Sequence, residues 1–426
     1  MLIHAWLACT QPDATGGGPT PDGWTTETGP LPNPTTDTTT GTPPTGTTDD
    51  GDGDDDDDDD GEFLFSETVH VFALEIPDAS WNELEGDLWG GGDYVGAYLT
   101  TPELDVIEVG IKLTGQSSFQ GINDKPSFKI KVDFFDELQR YDGLKKFNLH
   151  NLTWDGSFTA EYLSYRIWRE FGLPAPRVSH GELTVNGELY GLYSLVENVD
   201  GQMLDEHFDD DNGNLYEGAG CDLDWCDCLE VDIDDEGTHA ALGELCDAAT
   251  EEGDAWNTAI HDAMNWDHFV GHIAMEAWIS HWDGYSWNNN NFRLYHEPTL
   301  DQFSFIPWST DLSFGWAGPR TPGDPPSCHT YATDISTYTL GILNQSCYDD
   351  LECQADYADK MLAISDLVET LPYETWIDEA VARLDPYVQA DTKRSYTIQD
   401  FYDQNECFKD FLRERPQEIR DAVPGL

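Results

Sequence analysis

Basic residues are scarce in this chain: 20 Lys and Arg stand against 84 Asp and Glu in 426 residues, a formal net charge of −64. That deficit excludes nucleic-acid binding as a main function, because such binding rests on Lys and Arg neutralising phosphates. It also disfavours an anionic membrane surface. No apolar run approaches the length a membrane-spanning helix needs. Paired C-x2-C spacings are missing, which counts against zinc as the use of Cys221, Cys226, Cys228 and Cys246. The acidic run at 209–214 has its glycine one position early for an EF-hand, and no glutamate closes the loop at the twelfth position. A solvated acidic loop is the plainer reading. The acidity as a whole suits a high-salt medium, where self-repulsion is screened; affinity for basic substrates or Ca²⁺ is the functional alternative.

Aromatic residues are plentiful, with 15 Trp, 18 Tyr and 19 Phe. They supply ample material for a core, so the body of the chain is not disordered. The nine cysteines divide into Cys9 and an even set in the body, which in an exported protein reads as disulfides of open pairing. Residues 1–9 read as the truncated tail of a lipoprotein signal, short and without a basic start, with Cys9 as the lipidation site. Residues 10–61 are rich in Gly, Pro, Thr and Asp and are expected to be a disordered linker. A segment of about 50 such residues has an r.m.s. span of roughly 40 Å. Residues 62–426 are the folded domain. The expected setting is the cell surface or the extracellular medium, with membrane contact only through a lipid anchor.

Alternation predicts strands at 67–74, 105–113 and 127–134. A short helix is expected over 80–88 with Ser80 as N-cap, and a longer one over 158–171, stopped by Gly172 and Pro174. Asn186-Gly187 marks the turn of a hairpin between 178–185 and 189–196. A short helix at 202–208, a long apolar helix at 266–281, a hairpin of 292–295 with 303–307, and a mostly helical tail follow. This order predicts an α+β, two-lobed, protein-kinase-like fold. Its N-terminal lobe is antiparallel and β-rich with one helix; its C-terminal lobe is mainly helical.

The segment 281–315 carries the chemistry. It reads His281-Trp282-Asp283, four residues, Asn288, a hairpin, then Asp311-Leu312-Ser313-Phe314-Gly315. A protein kinase catalytic loop reads H-R-D, four residues and N, with a D-F-G aspartate after a short hairpin. Phosphoryl transfer needs a carboxylate to orient the attacking hydroxyl, and an Asn and an Asp to hold divalent metal against the triphosphate. Asp283 is the candidate catalytic carboxylate. Asp311 and Asn288 are the candidate metal ligands, with Asn291 as the next choice in the run of four asparagines. Lys129, with Lys131 on the same strand face and Lys125 near, is the candidate for the ATP phosphates. Glu161 on the following helix is its natural partner and Glu170 the weaker one. Glu197 to Val199 falls where a kinase hinge meets adenine through backbone groups, and Ser118 in the 114–118 turn falls over the phosphates. For each residue the structural alternative is ordinary: a turn Asp or Asn, a solvated Lys, an exposed helix Glu.

Several segments together resemble the spore-coat CotH kinase family, which is secreted and atypical. They are VGIKLTGQSS at 109–118, KPSFKIK at 125–131, KKFNL at 145–149, GLPAPR at 172–177, VNGELYGLY at 185–193 and IPW at 306–308. The resemblance spans about residues 63–320 in consistent order. It implies a kinase-like fold, ATP with Mg²⁺ or Mn²⁺, and transfer of phosphate to exposed Ser or Thr of surface or extracellular proteins. Two departures stand out. Thr114 and Gln116 occupy positions where the family often carries Arg and Asn, and Ser309 stands where its Pro-Trp-Asp-x-Asp run has the first Asp. The alternatives are a catalytically inactive kinase-like binding module and a Ca²⁺-dependent surface protein.

Overall fold

The computed structural model describes residues 61–315 and 334–425. Cys9 and all of the expected linker but Gly61 lie outside the described residues. Order begins with β1 (Val69–Glu75), α1 (Asp78–Gly86), β2 (Val95–Thr100), β3 (Ile107–Thr114), β4 (Ser127–Lys131) and β5 (Lys146–His150). Helix α2 (Ala160–Glu170) and the hairpin of β6 (Val178–Val185) with β7 (Glu188–Glu197) complete the sheet-rich part. The strands form a closed barrel in the order β1-β2-β3-β4-β5-β7-β6. Phe72, Leu99, Ile111, Ile130, Phe147 and Leu195 fill its interior.

Closure corrects the expected all-antiparallel lobe. β1 runs parallel to β6, with Val69 opposite His180 and Leu74 opposite Val185. The pairing removes both sheet edges. Two local expectations also shift. Ser80 lies inside α1 and not at its cap, because Pro77 precedes the first turn and its fixed φ suits a helix start. The strand expected to reach 134 ends at Lys131, where Val132–Phe134 turn away.

The second part opens with α3 (Gly201–His207), β8 (Leu215–Gly218), β9 (Glu230–Ile233), α4 (Ala240–Ala249) and α5 (Asp254–Ala263). Next come α6 (Trp266–Trp278), α7 (Tyr285–Asn288), β10 (Phe292–Glu297) and β11 (Gln302–Pro307). Helices α8 (Ile342–Asp349), α9 (Leu351–Val368), α10 (Tyr373–Ala390) and α11 (Ile398–Ala422) end the described chain. The four strands make a separate antiparallel sheet, β11-β10-β8-β9. The apolar helix α6 is buried between this sheet and α9, in a core that includes Ile273, Trp278, Phe305, Met361 and Ile364. The cysteines pair: Cys221 with Cys228, Cys226 with Cys246, and Cys347 with Cys353. Cys407 is disulfide-bonded too. These bonds remove the zinc alternative and point to an oxidising compartment.

One buried ion pair ties the barrel to the helices. Lys125 Nζ lies 2.7 Å from Asp391 Oδ2, and both side chains are inaccessible to solvent. Lys125 therefore does not belong to the basic cluster it was expected to join. Asp391 also accepts from the amides of Leu192, at 3.1 Å, and Lys393, at 2.8 Å. Its seat exists because residue 191 is glycine: a Cβ there would lie 2.2 Å from Asp391 Cγ. Removing the lysine leaves a buried carboxylate without its cation, so Lys125→Met is expected to lower the unfolding free energy by about 3 kcal/mol. Urea denaturation of wild type and variant measures it.

Candidate active site

The outward face of the barrel carries a patch of basic side chains. In β4, Phe128 and Ile130 point into the barrel, so Lys129 and Lys131 point out. Lys112 of β3 lies directly across from Lys129, and Lys146 of β5 directly across from Lys131. In a chain with 20 basic residues, these lysines share one patch of sheet. Lys131 leans 4.0 Å from Asp133. Lys129 has no carboxylate within ion-pair distance among the described residues. Burial draws its pKa down to about 8; Asp232 opposes that shift, and Arg293, Lys146 and Lys112 add to it.

The same face continues to His150 at the end of β5. Here the expected Lys129–Glu161 pair is corrected. The Glu161 carboxylate lies 2.9 and 3.1 Å from His150 Nδ1. The reason is positional. Glu161 is in the first turn of α2, beside the end of β5, whereas Lys129 sits opposite Asn148, further back along the strand. Glu170, at the far end of α2, is exposed. Ser118 occupies the turn between β3 and β4, and its carbonyl accepts from Asn151 Nδ2 at 2.9 Å. Glu197 and Val199 already have partners for several of their groups, and the Val199 carbonyl accepts from Asn198 Nδ2 at 3.3 Å. The Glu197 amide donates to the Arg177 carbonyl at 3.0 Å, and its buried carboxylate accepts from Arg177 Nε at 3.0 Å. Val199 is buried against Met203, Leu204 and Tyr295.

The acidic set comes from the loops around β10 and β11. Asn288 Nδ2 donates to Asp283 Oδ1 at 2.6 Å, and Asn291 Nδ2 donates to Asp283 Oδ2 at 2.9 Å. The asparagines expected to face metal thus turn their NH₂ groups to Asp283 and keep their amide oxygens. The loop hangs from Glu276 of α6, a fully buried carboxylate. It accepts from the amides of Tyr285, at 3.0 Å, and Ser286, at 2.8 Å, and from the Ser286 hydroxyl at 2.5 Å. Gly284 is required here, since a Cβ would lie 2.3 Å from Glu276 Oε1. Burial would raise the Glu276 carboxyl, but His272, the bonds it accepts and His281 hold it below the ordinary value.

Asp311 lies in the turn Thr310–Leu312 that follows β11. Helix α2 packs on that turn, and the Ser164 and Thr310 hydroxyls bond to each other. Asp155 starts α2: its carboxylate accepts from the amides of Ser157, Phe158 and Ala160. So the turn, the helix start and the Asp283 loop converge. The Asp311 carboxyl is pushed well above the usual range, first by burial, then by the carboxylates of Glu161, Asp155 and Asp283; the Ser309 hydroxyl, donating at 3.3 Å, opposes this. Among the described residues no Lys or Arg lies within ion-pair distance of Asp311, Asp155 or Asp283. An acidic centre without a cation of its own fits a divalent metal. Among the described residues no three His, Cys, Asp or Glu side chains form a metal-holding group by themselves. Mg²⁺ needs only one or two carboxylates and completes its shell with water and phosphate oxygens, so Asp311 with a neighbouring amide oxygen could serve it.

Asp155 gives this centre a pH signature. Burial, against bonds from Ser157 and Ala160, raises its carboxyl from 3.8 to about 6. Between those values the folded chain holds a proton that the unfolded chain has lost, so this contribution to stability grows as pH falls from about 7 to 4. Asp155→Asn removes it. The stability gap between wild type and variant is expected to widen by up to about 3 kcal/mol over that fall, which urea titrations at several pH values measure.

His150, Asp155, Glu276, Lys112, Lys146 and Arg293 were not singled out from sequence. Glu276 left a legible signal, a carboxylate in the middle of an apolar helix. Asp155 acquires meaning through the packing of α2, and the others through strand register.

A family model described as CotH kinase protein matches residues 111–419. The inner spore coat protein H of Bacillus subtilis (strain 168) is 22% identical over 376 residues, which cover 84% of this chain and 98% of that protein. Invasin CotH2 of Rhizopus delemar is 26% identical over 214 residues, covering 45% of this chain and 35% of the invasin. Among solved structures, the Helicobacter pylori proinflammatory kinase CtkA aligns at 12% identity with a TM-score of 0.32, covering 69% of this chain and 92% of that one.

Proposed function

The chain belongs to the CotH kinase protein family, and from that premise we propose that it is an exported, two-lobed atypical kinase that transfers phosphate from ATP to Ser or Thr of surface or extracellular proteins. The observation that supports this reading is a pair of opposite charge sets joined by a run of contacts, from Glu161 through His150, Trp308 and Arg293 to Asp232. The lysines of the barrel face suit the nucleotide phosphates, and the carboxylates around Asp311 suit the metal that accompanies them.

In this reading Asp311, with an amide oxygen of Asn288 or Asn291, would hold Mg²⁺ or Mn²⁺. When bound, the metal neutralises charge on the phosphate oxygens. Asp283, aimed by the two asparagines, accepts the proton of the substrate hydroxyl as its oxygen bonds to the γ-phosphorus and the bond to ADP breaks. Lys129 holds the phosphates from above. Glu161 keeps His150 and α2 in place. The disulfides, and the spore-coat and invasin names of the relatives, support an exported setting.

A second reading, an inactive kinase-like module, is favoured by Ser309. Its hydroxyl donates to Asp311 where the family carries a carboxylate. Nucleotide binding and transfer separate the two. MgATP is expected to raise the melting temperature of the wild type, and Lys129→Met to lose at least about tenfold in ATP affinity through one phosphate contact. Binding without transfer favours the module. A thermal shift with Ca²⁺ alone, without nucleotide binding, favours a Ca²⁺-dependent surface protein.

A further inference from the structure

We propose that Asp232 acts as an internal stand-in for phosphate: it occupies the anion site built by Lys112, Lys129, Lys146 and Arg293, so that nucleotide enters by displacing a carboxylate the chain itself supplies. The inference rests on reading these residues as a nucleotide site and adds a determinant of its affinity.

Arg293 anchors the site. It projects from β10 and is almost fully buried. Its Nη1 lies 2.6 Å from Asp232 Oδ2, its Nη2 lies 3.1 Å from Glu217 Oε2, and its guanidinium stacks 4.7 Å from the Trp308 ring centre. Trp308 in turn meets His150 of the barrel face, ring centres 5.5 Å apart. The Arg293–Asp232 pair is therefore linked through Trp308 and His150 to the barrel face that carries the lysines. Burial would raise the Asp232 carboxyl, yet Arg293, then Lys129, Lys146 and Lys112 hold it below its ordinary value. In turn, Asp232 is the largest favourable charge on Lys129. The residues proposed to take phosphate are thus already serving one anion.

The way Asp232 is delivered supports displacement. β9 is the edge strand of its sheet, pairs with β8, and is exposed at Glu230 and Val231, while the Asp232 side chain keeps 28% of its surface accessible. Before it, the Cys221–Cys228 and Cys226–Cys246 bonds pin the chain. After it, Glu236 lies 2.6 Å from His296 Nδ1 and accepts from the Asn214 amide at 3.2 Å. A four-residue strand between two fixed points can move its side chain aside without unfolding the domain. Arg293 keeps Glu217 as a partner when Asp232 leaves, so displacement does not strand a buried cation.

The test compares the full chain with Asp232→Asn and Lys129→Met by titration calorimetry at fixed ionic strength. The probes are metal-free tripolyphosphate and MgATP. Removing the competing charge is expected to tighten tripolyphosphate binding about tenfold in Asp232→Asn, and removing a host charge to weaken it about tenfold in Lys129→Met. Melting curves and a second variant, Asp232→Ser, exclude misfolding as the cause. If Lys129→Met weakens binding and Asp232→Asn leaves it unchanged or weaker, the inference is overturned while the basic patch remains a phosphate site. If Asp232→Asn weakens MgATP alone, Asp232 is a metal ligand and the inference is again overturned. If neither substitution changes the affinity for either probe, the nucleotide reading itself fails, and the inference with it.

Discussion

Asp311→Asn is expected to leave the chain folded and to lower phosphate transfer by at least about a thousandfold, since under the proposed function it removes the carboxylate that would hold metal against the transferring phosphoryl group. The same substitution is expected to hold or raise the melting temperature. Asp311 is recessed among Glu161, Asp155 and Asp283, with no cation within ion-pair distance among the described residues. Replacing it with a neutral amide relieves that repulsion. A stabilised but inactive variant is the mark of a charge kept for function, since a structural aspartate would lose stability on substitution. Asp283→Asn is expected to fall by a comparable factor for a different reason: the group that accepts the hydroxyl proton is gone, while Asn288 and Asn291 keep the loop in shape. Rates of label incorporation, read beside melting curves, measure both. Full activity in either variant contradicts the assigned role.

Glu276→Ala is expected to cost about 3 to 5 kcal/mol of stability, because it orphans two buried amides and a hydroxyl and leaves His272 without its carboxylate. Its effect on transfer follows from position. The bonds from Tyr285 and Ser286 fix the start of α7, and Asp283 lies two residues before Tyr285. Loosening that turn moves Asp283 by a fraction of an ångström to an ångström, a displacement worth about a hundredfold in rate. Glu276 touches neither nucleotide nor substrate in this scheme, so it is a positioning residue. The loss is expected in kcat, with the KM for ATP little changed, since the phosphates are held by the barrel lysines. A variant that loses ATP affinity and keeps kcat would place Glu276 in a different role.

The local part of the fold was legible. The hairpin at Asn186-Gly187, the α2 stripe, the apolar α6 and the β10–β11 hairpin all follow from patterns that neighbouring residues impose on each other. What was not legible depends on partners far along the chain. Barrel closure by parallel β1 and β6 joins segments about a hundred residues apart, and alternation within a strand does not name its neighbour. For the same reason Lys125 read as one of a basic trio, until Asp391 claimed it across the molecule. Glu161 read as the partner of Lys129 because both residue types suit that role. Where α2 starts relative to β5 gave it His150 instead. Strands β8 and β9 are short and acidic, with little apolar patterning; disulfides and Arg293 hold them in place.

Ser309 bears on activity more than any other departure from the family pattern. It adopts left-handed backbone, φ 47° and ψ 56°, a geometry that Asp and Asn tolerate better than most side chains. A carboxylate there would face Asp311; the serine hydroxyl donates to it instead. The substitution thus trades one negative charge for a hydrogen bond beside Asp311, and under the proposed function Asp311 remains the acid that would hold the metal.

The most direct measurement is transfer of radiolabelled phosphate from ATP by the purified full chain, with Mg²⁺ or Mn²⁺, to itself or to a basic test protein. The account predicts metal-dependent labelling on Ser or Thr that disappears in both Asp283→Asn and Asp311→Asn while those variants stay folded. Labelling that survives both substitutions, or a wild type that binds MgATP with no transfer to any hydroxyl-bearing protein, would contradict it.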